Sequence, residues 1–259
     1  MDNPYIGITD FTGFPQVESM LRVFKANLGL DSQRKLHVGV MMSYKTLNDI
    51  ETKWSRVFPP KEGIADIFRQ IDNESCYYCL HYADYSQSTE YTDLSRAINY
   101  AGPYADAIQL DMPWPDPAMI GLGVFGSNRR QIEVILQIGK NAIEAVENNP
   151  KAVVERLKLY EGVVDRVLLD KSMGRGMPMD AKGLIPFAEA IAKAFPSLGI
   201  GVAGGLGPDT IGLIKPIAAL FTDLSIDAQG RLRPSGNAMD PIDWTMAENY
   251  LIKALKLLS

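Results

Sequence analysis

The chain has 259 residues, of which 46% are hydrophobic and 22% charged, and its net charge of −5 is typical of a water-soluble globular protein. No basic run marks a nucleic-acid or anionic-membrane surface, and no apolar stretch reaches the roughly 18 residues that a membrane span needs. The first residues resemble no signal peptide. We therefore expect a cytoplasmic protein with no nucleic-acid partner and no membrane partner.

Eight short apolar segments alternate with segments of helical periodicity along the chain. Strands are predicted at 5–9, 36–42, 76–82, 106–111, 132–139, 164–170, 199–204 and 221–226. Helices are predicted at 15–27, 63–72, 91–101, 141–160, 181–195, 208–218 and 241–258. Between Asp111 and Gln131 the chain holds too many Gly and Pro residues for more than a turn or two of helix.

Continuous apolar strands that alternate with helices predict a parallel sheet buried on both faces. Eight such units predict an α/β fold, a single (β/α)8 TIM barrel that spans residues 1–259 as one domain. A doubly wound open sheet is the alternative, but its Gly-rich turn normally follows the first strand rather than the seventh. The polar segment 44–63 is predicted to be the loop after the second strand, over the active-site face.

The chain has two cysteines, Cys76 and Cys79, and both fall in a predicted strand. A metal or redox site at this CxxC would need further ligands, for which His81 is a candidate. Free cysteines in strands are more often buried apolar residues. We therefore expect a metal-independent protein without a cofactor.

Catalytic groups of a TIM barrel lie where the strands end. The strand ends predicted here carry three acids, Asp10, Asp111 and Asp170, and two lysines, Lys140 and Lys171, as catalytic candidates. Lys45, Ser225 and Asp227 are candidates for substrate binding. A lone aspartate at such a position can instead cap a helix or accept hydrogen bonds from a loop.

Gly204 and Gly205 stand between the seventh strand and the helix predicted to begin at Pro208. Glycines allow a ligand to approach the backbone closely, and a helix N-terminus attracts anions. Many barrels hold a phosphate group with the loops after strands seven and eight, so we predict a phosphate site at the glycine pair. A plain tight turn is the alternative. Arg175, Arg231 and Arg233 are candidates for a second phosphate or carboxylate, or for surface salt bridges.

Five sequence segments, in order along the chain, resemble the phosphoribosylanthranilate isomerase family of the ribulose-phosphate-binding barrels. The most specific is VAGGLGPDTI at 202–211, which is similar to the family's alanine-glycine-glycine-leucine phosphate loop. GIT at 7–9, DAIQLD at 106–111, LLDKSMGRGMPMD at 168–180 and TDLSID at 222–227 are similar to its first, fourth, sixth and eighth strand segments.

The resemblance implies a phosphate-binding barrel that carries out an Amadori rearrangement of an N-linked phosphoribosyl aromatic amine, with Asp170 at the position of the family's general acid. Three positions depart from the family pattern. Ile6 stands where the family has its catalytic cysteine, Asp111 replaces the histidine of the fourth strand, and a longer loop, DAQGRLRPSGN, follows strand eight. The resemblance therefore favours the fold and the phosphate site over the family's own reaction.

Three functions follow from these residues. The first is an acid–base isomerase of a phosphorylated sugar or sugar-amine, with Asp170 as acid and Asp10 or Asp111 as base. The second is a Schiff-base aldolase or lyase that uses Lys171 or Lys140. The third is a non-catalytic protein that binds a phosphorylated metabolite. The expected partner is a phosphorylated small molecule, and a homodimer remains open.

Overall fold

Eight parallel strands close into a barrel in which the strands follow one another in chain order. The computed structural model describes residues 3–69, 74–129, 131–171 and 179–258. The barrel closes where β1 pairs with β8, with Ile6 opposite Ile226. The prediction of an α/β TIM barrel is confirmed, and the open-sheet alternative is wrong.

The strands are β1 Tyr5–Thr9, β2 Lys35–Ser43, β3 Cys76–Ala83, β4 Ala107–Asp111, β5 Glu133–Gly139, β6 Arg166–Asp170, β7 Gly199–Ala203 and β8 Ser225–Ala228. The helices are α1 Phe14–Asn27, α2 Tyr44–Leu47, α3 Ile64–Ile67, α4 Tyr91–Ala101, α5 Pro117–Gly126, α6 Lys140–Glu144, α7 Pro150–Leu157, α8 Ala181–Ala194, α9 Lys215–Ala218 and α10 Trp244–Leu258. Short 3-10 turns occupy Lys53–Arg56, Lys61–Gly63, Lys158–Tyr160, Ile211–Ile214 and Gly230–Leu232.

Two apolar cores hold this architecture together. The larger lies between the strands and the helices, and the smaller fills the lower half of the barrel interior. Below the inner core, Arg166 Nε donates to Glu133 Oε2 at 2.8 Å and Tyr77 OH donates to the same oxygen at 2.6 Å. The interior is therefore packed at this end, and a ligand has room only at the opposite end, where the strands terminate.

Cys76 and Cys79 are both buried in β3, as predicted. Cys76 packs in the outer core and Cys79 in the inner core, so their side chains lie on opposite faces of the strand. Among the described residues, no group of three His, Cys, Asp or Glu side chains is arranged to hold a metal ion. In the same part of the chain, no helix is long and apolar enough to cross a lipid bilayer.

The segment before β5 folds into a longer helix, α5, than the turn or two that the sequence predicted. Asp116 Oδ1 caps α5 by accepting a hydrogen bond from Ala118 N at 2.9 Å, and Pro117 occupies the first turn. A Cβ atom at Gly123 or Gly126 would lie 2.7 Å from the side chains of Leu94 and Ser95 in α4. These glycines let the two helices approach closely, and this packing outweighs the low helix propensity of glycine.

Four other predicted elements differ from the structure. Of the helix predicted at 63–72, only the single turn α3, Ile64–Ile67, is α-helical among the described residues. The helix predicted at 141–160 is split into α6 and α7, because Glu147 and Asn148 adopt positive φ angles and Pro150 begins a new helix. β8 begins at Ser225 instead of residue 221, since Phe221 and Leu224 belong to a turn closed by the Leu224 N to Phe221 O hydrogen bond.

The helix predicted from Pro208 is also wrong. A 3-10 turn begins at Ile211 and is followed by one α-helical turn, α9. The predicted phosphate site therefore lacks the macrodipole of a full helix, because the electric field at a helix N-terminus depends on several aligned turns.

Candidate active site

A cavity of about 760 Å³ opens at the carboxyl ends of the strands. Strands β2 to β8 all contribute side chains to its floor and rim. One wall comes from the predicted 44–63 segment, which contributes Tyr44, Lys45, Thr52, Trp54 and Phe58. Trp54 and Phe58 are stacked with their ring centroids 5.2 Å apart. The cavity has the size and location of an enzyme active site in a barrel of this type.

Asp111 and Asp170 line this cavity at the ends of β4 and β6, on either side of β5. Asp170 is buried and Asp111 is partly exposed. Tyr85, on the loop after β3, donates its hydroxyl hydrogen to Asp111 Oδ2. Both carboxylates also border a small cleft that contains Gln137 and Asn141. Two strand-end acids in different surroundings are thus brought to one side of the cavity, as an acid–base reaction requires.

His81 extends this acidic side into the barrel. Its Nε2 lies 3.8 Å from Asp111 Oδ2, which is an ionic contact rather than a direct hydrogen bond. Burial lowers the pKa of His81, but the carboxylates of Asp111, Asp227 and Asp10 together outweigh burial, and the pKa is raised.

Gln109 holds the other side of the His81 ring. Its Nε2 donates to Gln137 Oε1 at 2.9 Å and lies 3.1 Å from His81 Nδ1, compared with 3.4 Å from His81 Nε2. In the neutral form of His81, Nδ1 accepts this hydrogen bond, because an amide nitrogen only donates, and Nε2 carries the proton towards Asp111. Gln137 and Gln109 therefore orient the His81 ring so that its N–H group faces the Asp111 carboxylate.

Asp227 forms part of the cavity floor. Its Oδ2 accepts a hydrogen bond from Thr9 Oγ1 at 2.8 Å, and its Oδ1 lies 3.8 Å from His37 Nδ1. His37 lies deeper and is completely buried. Burial raises the pKa of Asp227 to about 7 and lowers the pKa of His37 to about 3. Near neutral pH the floor thus contains a carboxyl group that holds a proton in a substantial share of the molecules, and an imidazole that is not protonated.

The glycine pair lies on the opposite side from Asp111. Gly204 and Gly205 both line the cavity and have φ angles of +99° and +68°, which residues with a side chain rarely adopt. Thr210 Oγ1 donates to Gly205 O at 2.7 Å and fixes the turn. Arg231, from the 3-10 turn after β8, also lines the cavity. A glycine turn and a guanidinium group at one edge of a cavity have the composition of an anion site.

Asp10 and Ser225 do not line this cavity. Asp10 Oδ2 accepts hydrogen bonds from Arg233 Nη2 at 2.5 Å and from Gln229 Nε2 at 3.0 Å. Ser225 begins β8, at the other end of the strand, where its Oγ accepts from Tyr5 N at 3.2 Å. Asp10 and Arg233 thus form a buried ion pair that anchors the loop after β8, and Ser225 supports the barrel wall.

Both candidate lysines lie outside the cavity as well. Lys171 Nζ donates to Gly183 O at 2.9 Å and rests over the Phe187 ring, both in α8. Lys140 is close to Glu144, at 3.6 Å, on the surface of α6. Lys45 does line the cavity, at its exposed rim. Arg175 lies outside the described residues.

Several polar side chains of the barrel interior were not predicted as site residues. They are His37, Gln109 and Gln137, and all are buried. Each stands in an otherwise apolar strand, at a position whose side chain points into the barrel. A polar residue at an inward position of several successive strands is the signal that would have identified them.

Comparison with known proteins supports the fold. The chain matches a truncated 3-deoxy-D-arabino-heptulosonate 7-phosphate synthase from Thermotoga maritima with a TM-score of 0.57 and 13% identity, over 98% of this chain and 85% of that one. It matches the octameric ribulose-1,5-bisphosphate carboxylase/oxygenase from Pyrococcus horikoshii OT3 with a TM-score of 0.52 and 11% identity, over 99% of this chain. The chain spans 60% of the length of that carboxylase subunit. No family model and no curated protein sequence matches the chain.

Proposed function

We propose that this protein is an acid–base isomerase of a phosphorylated sugar or sugar-amine, related in design to phosphoribosylanthranilate isomerase but with a different base. The observation that carries this proposal is the composition of one cavity. The glycine turn and Arg231 border it after β7 and β8, and Asp170, Asp111 and His81 border it on β6, β4 and β3.

The phosphate group is assigned to the side with Gly204, Gly205 and Arg231. Positive φ angles at both glycines remove the side chains that would keep an anion from the backbone. Arg231 supplies a permanent positive charge, and its guanidinium can bind two phosphate oxygens at once. The names of these two structural neighbours, a heptulosonate 7-phosphate synthase and a ribulose-1,5-bisphosphate carboxylase, include a phosphate ester, in agreement with this assignment.

The proton transfers are assigned to Asp170 and Asp111. In ring opening, Asp170 gives its proton to the ring oxygen as the bond between that oxygen and C1 breaks, and a lone pair of the amine nitrogen or hydroxyl oxygen on C1 forms a double bond to C1; a hydroxyl also loses its proton and becomes the aldehyde. Asp111 then removes the proton from C2. The electron pair of that C–H bond forms the C1–C2 double bond, and the electrons of the C1=N or C1=O bond move onto the nitrogen or oxygen, so that negative charge develops on O1 of a phosphosugar. Return of a proton to C1 and loss of the proton of the C2 hydroxyl convert this enol into the product ketone. His81 stands beside Asp111 to stabilise its charge. Asp10 was the other candidate base, and its ion pair with Arg233 removes it from this role.

Ligand-dependent stability tests the phosphate assignment. We expect inorganic phosphate and phosphosugars, including phosphoribosylanthranilate, to raise the Tm, since a ligand at one hundred times its Kd adds roughly 2.7 kcal/mol to stability. The Gly205→Ala variant should lose this increase. Gly236→Ala is the matched control, because Gly236 has the same φ of +68° and lies outside the cavity lining.

Both variants should lose similar intrinsic stability, about 1–2 kcal/mol, because both place a side chain in the left-handed region. An equal response of the two variants to phosphate would refute the site at the glycine pair.

Turnover tests the catalytic assignment. Asp170→Asn should reduce isomerase turnover by about 100-fold or more while phosphate-dependent stabilisation survives. A normal rate in this variant would refute the role of Asp170. Phosphate binding without turnover of any phosphosugar by the unmodified protein would instead favour a non-catalytic binding protein.

A further inference from the structure

Asp227 is a buried acid that borders the cavity, and its side chain is only 5% exposed. Thr9 satisfies Oδ2, whereas Oδ1 has no hydrogen-bond partner among the described groups. Its nearest basic atom, His37 Nδ1, is 3.8 Å away. An ionised carboxylate in such a position pays a large desolvation cost that is not compensated.

His37 does not supply a counter-charge. Its ring is stacked on Tyr5 with centroids 4.6 Å apart and is tilted against Tyr77 at 5.9 Å. Burial, together with the positive charges of His81 and Arg166, lowers the pKa of His37 to about 3, so the imidazole is neutral near pH 7. The other titratable groups that face Asp227 are His81, Asp10, Tyr5, Cys79 and Tyr250.

Among these neighbours, only His81 favours ionisation of Asp227 by its charge, and Asp10 opposes it. Burial is the largest effect and raises the pKa of Asp227 to about 7. A substantial share of the molecules therefore carries a neutral carboxylic acid in the floor near neutral pH.

Two glycines make room for this group. A Cβ atom at Gly7 would lie 2.5 Å from Asp227 Oδ1 and 2.9 Å from His37 Nδ1. A Cβ atom at Gly39 would lie 2.3 Å from Thr9 Oγ1. β1 and β2 thus carry glycine at the two positions that contact Thr9, His37 and Asp227. The absence of a side chain at each position leaves the space that these three side chains occupy in the barrel interior.

We propose that Asp227 acts as a neutral carboxylic acid that donates a hydrogen bond to the substrate oxygen on which negative charge develops during isomerisation. This inference rests on the proposed function and adds a catalytic residue to it. The proton stays on Asp227, so no bond is made or broken there. A preorganised donor in a buried site stabilises such an oxygen far more than the same donor does in water.

The protonation state can be measured without any substrate. Carbon-13 NMR of protein labelled at the aspartate carboxyl groups, recorded from about pH 5 to about pH 9, follows the titration of each group. The Asp227 signal is assigned by its loss in Asp227→Asn. We expect it to titrate near neutral pH, far above an ordinary aspartate. A carboxyl group that is ionised throughout this range would overturn the inference.

The donor role is tested by comparing two variants on whichever phosphosugar the protein isomerises. Asp227→Asn keeps the shape and can still donate through its amide, whereas Asp227→Leu cannot. We expect Asp227→Leu to lower kcat by roughly 100- to 1000-fold and Asp227→Asn by on the order of tenfold. The exposed Asp223→Asn, on the turn before β8, is the control for the loss of a carboxylate.

The pH profile separates this role from a structural one. In the unmodified protein kcat should fall as the pH rises through about 7, because the donor ionises. This loss should vanish in Asp227→Asn, whose amide does not ionise. Equal losses of kcat in both variants, or an unchanged alkaline limb in Asp227→Asn, would overturn the inference. If the unmodified protein isomerises no phosphosugar, the proposed function fails and the donor role fails with it, while the NMR titration still reports the charge of Asp227.

Discussion

Replacing Gly7 with alanine tests whether the side chains of Asp227 and His37 fill the space next to the Gly7 Cα atom in the barrel interior. The new Cβ would lie 2.5 Å from Asp227 Oδ1, about 1 Å inside normal contact, and both neighbours are held in the barrel interior. Overpacking of this kind costs typically 1–3 kcal/mol. In a chain of this size each kcal/mol lowers the Tm by roughly 2–4 °C. We therefore expect Gly7→Ala to melt about 2–12 °C below the unmodified protein.

Gly63→Ala is the matched control for this substitution. No atom lies within 4 Å of a Cβ built at Gly63, and its φ of −90° suits any residue. Its stability should change by no more than about 0.5 kcal/mol. Thermal unfolding by circular dichroism measures both variants under the same conditions. If Gly7→Ala melts at the same temperature as Gly63→Ala, the described packing of Asp227 and His37 against β1 is refuted.

Three further predictions concern pH, the buried ion pair and the Schiff-base alternative. The pKa of Asp227 is raised in the folded state, so the stability it contributes is complete below pH 3.8 and is lost as the pH rises through about 7. Urea unfolding at several pH values measures the free energy of unfolding of both proteins. As the pH rises over this window, that of Asp227→Asn should increase relative to that of the unmodified protein by on the order of 4 kcal/mol, and a constant difference would contradict this prediction. Asp10→Asn should lower the free energy of unfolding by about 3 kcal/mol, because it leaves Arg233 buried without its charge partner, yet phosphate should still raise the Tm. Borohydride treatment in the presence of phosphosugar should give no covalent adduct detectable by mass spectrometry, since Lys171 and Lys140 lie outside the cavity, and an adduct on either lysine would refute the proton-transfer mechanism.

The barrel was predictable from sequence because its strands are continuous apolar runs separated by helical segments. Seven of the predicted strands overlap the observed strands closely, and only β8 is displaced along the chain. The errors lie where tertiary contacts override local preference. α5 forms despite its glycines because Gly123 and Gly126 let it pack against α4, and no local pattern reveals that packing.

The candidate site was predictable only in part. Asp111 and Asp170 were found because strand ends are visible in the sequence, and the structure brings both to one cavity. Asp10 satisfied the same rule, but its partner Arg233 lies more than two hundred residues away, and sequence spacing does not show such a pairing. Gln109, Gln137 and His37 were missed because each looks like an isolated polar interruption of an apolar strand until the strands are placed side by side.

The most direct test of the proposed isomerase is proton exchange at carbon. The protein is incubated in deuterated water with each of a panel of phosphosugars, and proton NMR follows the hydrogen on the carbon next to the anomeric carbon. We predict that this hydrogen is replaced by deuterium with at least one of these sugars, and that exchange stops in Asp170→Asn while phosphate still stabilises the variant. Binding of phosphosugars without exchange in the unmodified protein would contradict the account and would leave a barrel that binds phosphorylated ligands without acting on them.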